Sequence, residues 1–337
     1  MKKYALIAIA AVACFQAHAQ TFEPVNKNAS PEARKLLAYL YSIKGKYILS
    51  GEHNYNGGQV NKFSDSVYKF TGKYPAVWGS DFLWAKLDDK GKSVVDEAIK
   101  KWNEGYIITL NWHEGRPTDD PPYDWRKSIL GKLTDAEWDS LTTPNTALNK
   151  RWLDQIDHTA IFLKQLSDAH VPVLWRPYHE MNGVWFWWGN RKGKDGFAKL
   201  WKMMYDRYVN YHHLNNLIWV YSCSGIKVPI MAAYDYKDYY PGPNYVDILG
   251  ADDYFSHFEQ NNYDEMLSLA KGKLVAMTEV GTLPTPAVIK AQPQWCYFLN
   301  WATTIWTDNK PDSLKIVYSY PHVLNHDQVK ATVDAIR

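Results

Sequence analysis

The chain has 337 residues and a formal net charge of +2, which excludes a strongly basic nucleic-acid binder and gives no indication of an anionic membrane partner. Charged residues, at 22%, are ordinary, whereas aromatic residues reach 15% and include 16 Trp and 24 Tyr. Trp and Tyr suit sites that are apolar on one side and wet on the other, so the composition leans weakly towards a carbohydrate or another flat ligand.

Residues 1–19 predict a secretory signal peptide. Lys2 and Lys3 precede an apolar stretch that ends in a small-x-small cleavage sequence and is too short to span a membrane. Cys14 lies in a sequence that is similar to a bacterial lipoprotein box but lacks its usual Leu, so we favour a soluble export product over a lipid-anchored one. We expect residues 20–337 to form one domain, a monomer or a weak dimer, that is periplasmic, on the bacterial cell surface or secreted.

The mature chain predicts an alternation of strands and helices. Ser30 and Pro31 predict the start of a helix that runs to about Ile43. The predicted strands that follow are 47–54, 74–82, 106–113, a run beginning at Val171, 217–223, 246–254, 274–281 and 295–301. The predicted helices are 57–70, 93–104, 150–169, 195–213 and 326–337. The segment 315–320 competes with 295–301 as the eighth strand.

Strands that alternate with helices predict a parallel sheet of the α/β class. Eight such units in about 300 residues fit a single-domain (β/α)8 TIM barrel. A doubly wound open sheet is the alternative, but it would lack its usual ligand signature because no Gly-x-Gly-x-x-Gly follows the first strand.

Nearly every predicted strand ends in side chains that bind hydroxyl groups or carry protons. In a barrel these ends gather at one mouth, where active sites lie. The residues are Glu52, His53, Asn54, Asp81, Asn111, Trp112, His113, Arg176, His179, Glu180, Asn182, Ser222, Asp252, Asp253, Tyr254, Glu279 and Trp301. Asp81 and Asn54 would serve equally well as caps of loops or helices.

Two carboxylates, Glu180 after the fourth strand and Glu279 after the seventh, would face each other across the mouth of such a barrel. Glycoside hydrolysis needs two such groups, one to protonate the leaving oxygen and one to attack the sugar or activate water. Four consecutive aromatic residues, 185–188, follow Glu180, and indole faces stack on the apolar faces of pyranose rings. The alternative is a packed aromatic corner with a structural ion pair.

The sequence from Arg176 to Gly189, RPYHEMNGVWFWWG, resembles the signature of glycoside hydrolase family 26, whose main members are endo-β-1,4-mannanases. Other strand ends resemble the family in the same order, at 47–53, 111–113, 252–254, 278–281 and 298–301. The tail 317–322 also resembles the family, which favours 295–301 as the eighth strand. The resemblance covers about residues 30–335. It implies a retaining endo-β-1,4-mannanase that acts on mannan, galactomannan or glucomannan and needs no cofactor.

The resemblance also implies roles for the matching residues. Glu180 would be the general acid/base and Glu279 the nucleophile of a two-glutamate double displacement. His179 and Tyr254 would orient the nucleophile, Trp301 would be the stacking floor of subsite −1, and Trp185 would lie towards subsite +1. The residues expected to bind substrate are His113, His179, Trp185, Tyr254, Trp301 and Arg176.

Three other functions fit parts of the pattern. A family 26 β-1,3-xylanase or mixed-linkage β-glucanase would keep both glutamates and differ only in its sugar contacts. A metal-dependent barrel hydrolase would use His53, His113 and His179 as ligands, although the first strand has no His-x-His. A non-catalytic glycan-binding protein would be expected to lack one carboxylate, and both are present. The resemblance therefore favours mannan hydrolysis without a metal.

Three features depart from the family or stay open. Glu52 stands where many family members carry Gln, and we assign it no role. The segment 114–149, read as a long loop, resembles no family segment, so the balance of endo and exo action stays open. Cys223 and Cys296 either form a bridge, which an oxidising compartment permits, or remain buried thiols.

Overall fold

The computed structural model describes residues 23–82, 90–225 and 233–337. The expected signal peptide, residues 1–19, and Cys14 lie outside the described residues. Eight parallel strands form a closed barrel surrounded by helices, which confirms the predicted (β/α)8 fold. The strands are β1 (two segments, Ile48–Leu49 and Gly51–His53), β2 (Val77–Phe82), β3 (Ile107–Trp112), β4 (Val173–Pro177), β5 (Leu217–Ser224), β6 (Ile248–Asp253), β7 (Leu274–Val280) and β8 (Trp295–Asn300).

The barrel closes between its last strand and its first. Each strand pairs in parallel with the next, and β8 pairs with both segments of β1, Leu49 opposite Tyr297 and Glu52 opposite Asn300. A short strand, β9 (Val323–Leu324), pairs with the first segment of β1. Because all strands run in one direction, their carboxyl ends lie at the same mouth of the barrel.

Eleven helices are present in the described ranges. They are α1 (Pro31–Ile43), α2 (Lys62–Thr71), α3 (Lys90–Glu104), α4 (Asp135–Leu141), α5 (Ala147–Asp168), α6 (Phe197–Asp206), α7 (Gln260–Ala270), α8 (Pro286–Ala291), α9 (Thr304–Thr307), α10 (Pro311–Tyr318) and α11 (His326–Ile336). The hydroxyls of Ser30, Thr146 and Thr285 cap α1, α5 and α8 by accepting a backbone N–H of the first turn. Among these described helices, none combines the length and the apolar composition that crossing a membrane requires.

Two predicted segments differ from the structure. The segment 114–149, predicted as a long loop, contains a π-helical turn (Trp125–Ile129) and helix α4. Helix α4 has seven residues and is too short to show a clear period, although Thr134 and Glu137 form a capping box. The segment 315–320 lies mostly in helix α10, so 295–301 supplies the eighth strand, as the resemblance favoured.

Much of the aromatic excess fills the core rather than a binding site. Nine tryptophans within the described ranges are almost completely buried. Trp201 of α6 meets Trp219 of β5 edge to face, with the ring centroids 5.6 Å apart, in the layer between helix and barrel. The composition is therefore weaker evidence for a sugar ligand than the arrangement of residues at the barrel mouth.

Cys223 and Cys296 are buried thiols that do not form a disulfide. Burial raises the pKa of Cys296 to about 12, so this thiol is chemically inert at neutral pH. For protein comprising residues 20–337, we expect two titratable thiols in denaturant without reductant, and essentially none in the native state. Fewer than two thiols in denaturant would contradict this arrangement.

Candidate active site

A cleft of about 410 Å³ opens at the C-terminal mouth of the barrel, a size typical of ligand sites. Its wall combines catalytic candidates with aromatic and apolar side chains. The lining residues are His113, Trp125, Leu130, His179, Glu180, Trp185, Phe186, Tyr254, Phe255, Glu279 and Trp301. Of the residues expected to act in catalysis or to bind substrate, all except Arg176 line this cleft.

Three acidic side chains converge beside the cleft. One carboxylate oxygen from each of Glu180, Asp252 and Glu279 lies within 4.8 Å of the other two. In glycosidases, about 5–5.5 Å separates the two carboxyl groups of retaining enzymes, and about 6.5–9.5 Å those of inverting enzymes, which need room for a water molecule. Glu180 and Glu279 therefore have the spacing of a site in which one carboxylate attacks the sugar directly.

Arg176, at the end of β4, balances part of this negative charge. Its side chain is 1% exposed, with one guanidinium nitrogen 2.6 Å from Glu279 Oε1 and the other 3.6 Å from Asp252 Oδ2. Burial opposes the charge of Arg176, but the two carboxylates hold its pKa above the usual value. The sequence predicted a substrate-binding arginine, whereas the structure places it behind the carboxylates. A charge on a buried strand needs such partners.

Asp252 is held in a network of hydroxyl groups. Ser222 Oγ donates to Asp252 Oδ1 over 2.8 Å, and Thr278 Oγ1 donates to the same oxygen over 2.7 Å. Burial and the neighbouring Glu279 raise the pKa of Asp252 well above its usual value. Arg176 and the two hydroxyl donors oppose this effect and favour the ionised form.

Glu279, near the end of β7, is contacted on both carboxylate oxygens. Tyr254 Oη donates to Oε2 over 2.6 Å, while Oε1 faces Arg176 and lies 3.7 Å from His179 Nε2. Burial lowers the pKa of His179 well below its usual value, with the nearby His113 and Arg176 acting in the same direction. The imidazole is therefore neutral, and Arg176 is the cation that faces Glu279.

Glu180 has the opposite environment. It follows β4 in the left-handed backbone region, at φ +54°, with its N–H donating to Ser222 O over 2.8 Å. Burial raises the pKa of its carboxyl group well above the usual value, and Asp252 and Glu279 raise it further. Trp185 Nε1 donates to Oε2 over 2.7 Å and partly opposes these effects. This environment favours the protonated form of Glu180.

Buried polar contacts fix the loop that carries this glutamate. Tyr178, also left-handed at φ +50°, donates its hydroxyl to the Glu114 carboxylate and accepts the indole N–H of Trp152 over 2.8 Å. Asn182 accepts the backbone N–H of Ser224 over 2.8 Å and donates back to the Ser224 carbonyl over 3.0 Å. Strained backbone at two sites is thus held by neighbouring strands and helix α5, as is common at functional sites.

The aromatic run 185–188 divides between cleft and core. Trp185 and Phe186 line the cleft. The last two tryptophans are buried, and their indole N–H groups donate to the backbone carbonyls of His179 and Glu114 over 2.8 and 2.9 Å. Only Trp185 and Phe186 can therefore form the predicted sugar-binding wall. The two buried tryptophans hold the run in place through their hydrogen bonds to the backbone.

Three further residues at strand ends, Asp81, Asn54 and His53, make different structural contacts. Asp81 contacts Nδ1 of His113 through a short hydrogen bond and so orients that ring. Asn54 caps helix α2, its Oδ1 accepting two backbone N–H groups over 3.1 Å. His53 stacks on Trp301 with the ring centroids 3.9 Å apart, which fixes the indole at the mouth.

The three histidines of the metal hypothesis do not form a ligand set. Among residues 23–82, 90–225 and 233–337, the one group of converging metal-ligand side chains is the acidic trio described above. Arg176 already supplies a cation to two of its members, and His113 is bonded through Nδ1 to Asp81. These contacts do not fit a histidine-ligated metal.

Sequence reasoning missed three lining residues, Trp125, Leu130 and Phe255. The first two come from the segment 114–149, which showed neither a period nor a resemblance. Phe186 was predicted only as part of the aromatic run 185–188. Phe255 directly follows Tyr254, so its position after a predicted strand end was the available signal.

Comparison with known proteins places these features in a family. The model of glycosyl hydrolase family 26 matches residues 25–328. The chain belongs to glycosyl hydrolase family 26. Its barrel superimposes on GH26A from a Muricauda species with a TM-score of 0.88 and 51% identity, over 90% of this chain and 99% of that one. A family 26 relationship thus extends over nearly all the described residues.

Two mannanases show the range of the resemblance. A β-mannanase from a symbiotic protist of the termite Reticulitermes speratus, crystallised with a gluco-manno-oligosaccharide, is 32% identical with a TM-score of 0.79, over 91% of this chain and 97% of that one. A mannan endo-1,4-β-mannosidase of Thermothelomyces thermophilus is 36% identical, over 92% of this chain and 64% of that protein. The chain thus spans less than two thirds of the length of this relative.

Proposed function

We propose that this protein is a retaining endo-β-1,4-mannanase. The proposal rests mainly on one distance. A carboxylate oxygen of Glu180 lies within 4.8 Å of a carboxylate oxygen of Glu279, in a cleft lined by aromatic side chains. Their environments differ in the way that acid and nucleophile require, because burial and the nearby carboxylates favour the protonated form of Glu180, whereas Glu279 faces a guanidinium and a phenol. Two identical residue types therefore take two different roles.

In the first step, Glu180 protonates the glycosidic oxygen while Glu279 attacks the anomeric carbon. The leaving sugar departs with the proton, and a covalent glycosyl ester forms on Glu279. In the second step, the ionised Glu180 takes a proton from water as the water oxygen attacks the anomeric carbon and releases Glu279. Two inversions at one carbon retain the β configuration.

Arg176 and Tyr254 support this cycle from behind the nucleophile. The guanidinium stabilises the negative charge of free Glu279, and the phenol holds the other oxygen in place. Trp301, fixed by His53, offers an aromatic floor to the sugar that is attacked, and His113 faces the same part of the cleft. Trp185 touches the acid itself and therefore lies towards the leaving group.

Mannan as substrate is supported by the relatives. The proteins of T. thermophilus and Bacillus subtilis are named mannan endo-1,4-β-mannosidases, and the termite-symbiont enzyme was crystallised with a gluco-manno-oligosaccharide. The chain covers 83% of the B. subtilis strain 168 protein at 31% identity. We therefore favour β-mannan over β-1,3-xylan and mixed-linkage glucan, which the same two glutamates could hydrolyse.

The test is hydrolysis of galactomannan, glucomannan, β-1,3-xylan and mixed-linkage glucan by residues 20–337, with Glu180→Ala and Glu279→Ala in parallel. We expect manno-oligosaccharides from the wild type, with long fragments early, and loss of this activity in both variants. Activity confined to xylan or glucan would overturn the substrate while keeping the mechanism. Mannan hydrolysis that survives Glu279→Ala would overturn the mechanism.

The hydrogen bond from Trp185 predicts a change in pH dependence. This bond lowers the pKa of Glu180, so Trp185→Phe should raise it further. The alkaline limb of kcat/KM, where the general acid loses its proton, should move to higher pH by roughly 0.5–1 unit, the equivalent of one hydrogen bond of about 1 kcal/mol. A pH–rate profile of both proteins checks this, and a shift to lower pH would contradict it.

A further inference from the structure

Phe255 is an apolar side chain that the protein leaves in water at the rim of the cleft. It follows β6, lines the same cavity as both glutamates, and is 69% exposed, the highest value among the large hydrophobic side chains of the described ranges. Scattered exposed apolar residues need no explanation, but one that shares a cavity with catalytic carboxylates is a candidate ligand contact.

The backbone at this point is strained in a way that keeps the ring outside. Phe255 and Ser256 both adopt left-handed conformations, at φ +57° and +61°. Glycine or asparagine would occupy such positions at lower energetic cost, and a bulky residue there is an outlier. Strand β6 ends at Asp253, and Tyr254 donates a hydrogen bond to Glu279. The turn that follows places Phe255 at the rim of the cleft. Strain of this kind clusters where function requires it.

The order of strands around the barrel decides which sugar Phe255 can reach. Strand β7, which carries Glu279, stands between β6 and β8. Trp301 follows β8 and Phe255 follows β6, so the two rings flank the nucleophile on opposite sides. If Trp301 is the floor beneath the sugar that is attacked, Phe255 lies on the side of the leaving group. Trp185, bonded to the acid, lies towards the same side.

We propose that Phe255 is a binding residue for the leaving-group portion of the substrate, contacting the apolar C–H face of a β-1,4-linked hexose beyond the scissile bond. The inference rests on the proposed mannanase function and adds a contact that determines how the polymer is held. A ring ready in place at the rim loses little freedom on binding, because its turn is already formed. The contact strengthens the binding of long substrates and contributes nothing when the leaving group is small.

Two substrates separate this role from a general effect on catalysis. Mannotetraose places sugars on both sides of the cleaved bond, whereas β-mannobiosyl fluoride has a single atom as its leaving group. For Phe255→Ala we expect kcat/KM on mannotetraose to fall about tenfold, the scale of one lost aromatic contact, and kcat/KM on the fluoride to stay near the wild-type value. Phe255→Trp keeps an aromatic ring at this position, so its kcat/KM on mannotetraose should stay near the wild-type value.

Two matched variants test whether the effect comes from losing any exposed ring or from a change in stability. Tyr211→Ala removes another exposed aromatic ring outside the cleft and should alter neither substrate. Phe255→Gly removes the ring while relieving the left-handed strain, so its Tm should equal or exceed that of Phe255→Ala while its mannotetraose activity stays equally low.

The outcomes are decisive. Equal losses on both substrates would show that Phe255 acts through Tyr254 and Glu279, and no loss on either would show that it makes no contact; both results overturn the proposal. Failure of the wild type on mannotetraose would instead overturn the proposed function and is recognised without any variant.

Discussion

Replacing Glu279 by Gln is expected to lower kcat/KM on mannan by roughly 10⁴–10⁶-fold, the range found when a hydrolase loses a central member of its catalytic group. The amide keeps the shape of the side chain but cannot form the glycosyl ester, and it removes the negative charge that faces Arg176 at 2.6 Å. Because the substrate wall is untouched, binding of mannotetraose to the inactive variant should persist. Kinetics and calorimetric titration measure the two properties separately.

Glu52→Gln is the matched control for this change. Glu52 also stands at a strand end, and burial raises its pKa well above the usual value, but it does not line the cleft. Burial favours the neutral form of Glu52, which an amide resembles, so near wild-type activity is expected. A loss in Glu279→Gln no larger than that in the control would contradict the assignment of the nucleophile.

Removing the charge of Arg176 is expected to damage both stability and activity. In Arg176→Met, the buried Glu279 and Asp252 lose their shared cation, and breaking a buried ion pair from one side costs about 3–5 kcal/mol. For a domain of about 320 residues, Tm should fall by about 4–8 °C. The kcat/KM on mannan should also fall, because Glu279 loses the cation that stabilises its negative charge.

Arg207→Met controls for the loss of an arginine as such. Arg207 pairs with Asp157 at 2.5 Å in a partly exposed position, where an ion pair contributes about 0–1 kcal/mol. Thermal melts should therefore show a much larger loss of Tm in Arg176→Met than in this control. An Arg176→Met variant that matches the control in Tm and in kcat/KM on mannan would show that the buried pair carries neither stability nor catalysis.

The barrel and the approach of the two glutamates were predictable from local signals. Apolar runs ending in polar residues marked the strands, and the carboxyl ends of parallel strands must meet, which brought Glu180 and Glu279 together without any contact being known. Short secondary structure was not predictable, because helix α4 has too few residues to show a period. The strand-like Ile316 and Val317 lie in helix α10, where a proline at the first position starts the helix.

Side-chain partners across the barrel were the part that sequence could not supply. Arg176 was predicted to touch substrate, and only packing shows that two carboxylates lie closer to it. Asp81 and Asn54 looked alike as strand-end residues, yet one orients His113 and the other caps α2. These differences depend on which neighbour a side chain meets, and that is set by tertiary packing rather than by local pattern.

The most direct measurement is to identify the residue that carries the covalent intermediate. Wild-type protein would be incubated with 2-deoxy-2-fluoro-β-mannobiosyl fluoride, whose fluorine slows the second step, and then digested and mapped by mass spectrometry. We predict one added glycosyl group on the peptide that contains Glu279, and none in Glu279→Gln. A label on Glu180 or another residue, or hydrolysis of mannan with inversion and no labelled peptide, would contradict the double-displacement mechanism at Glu279.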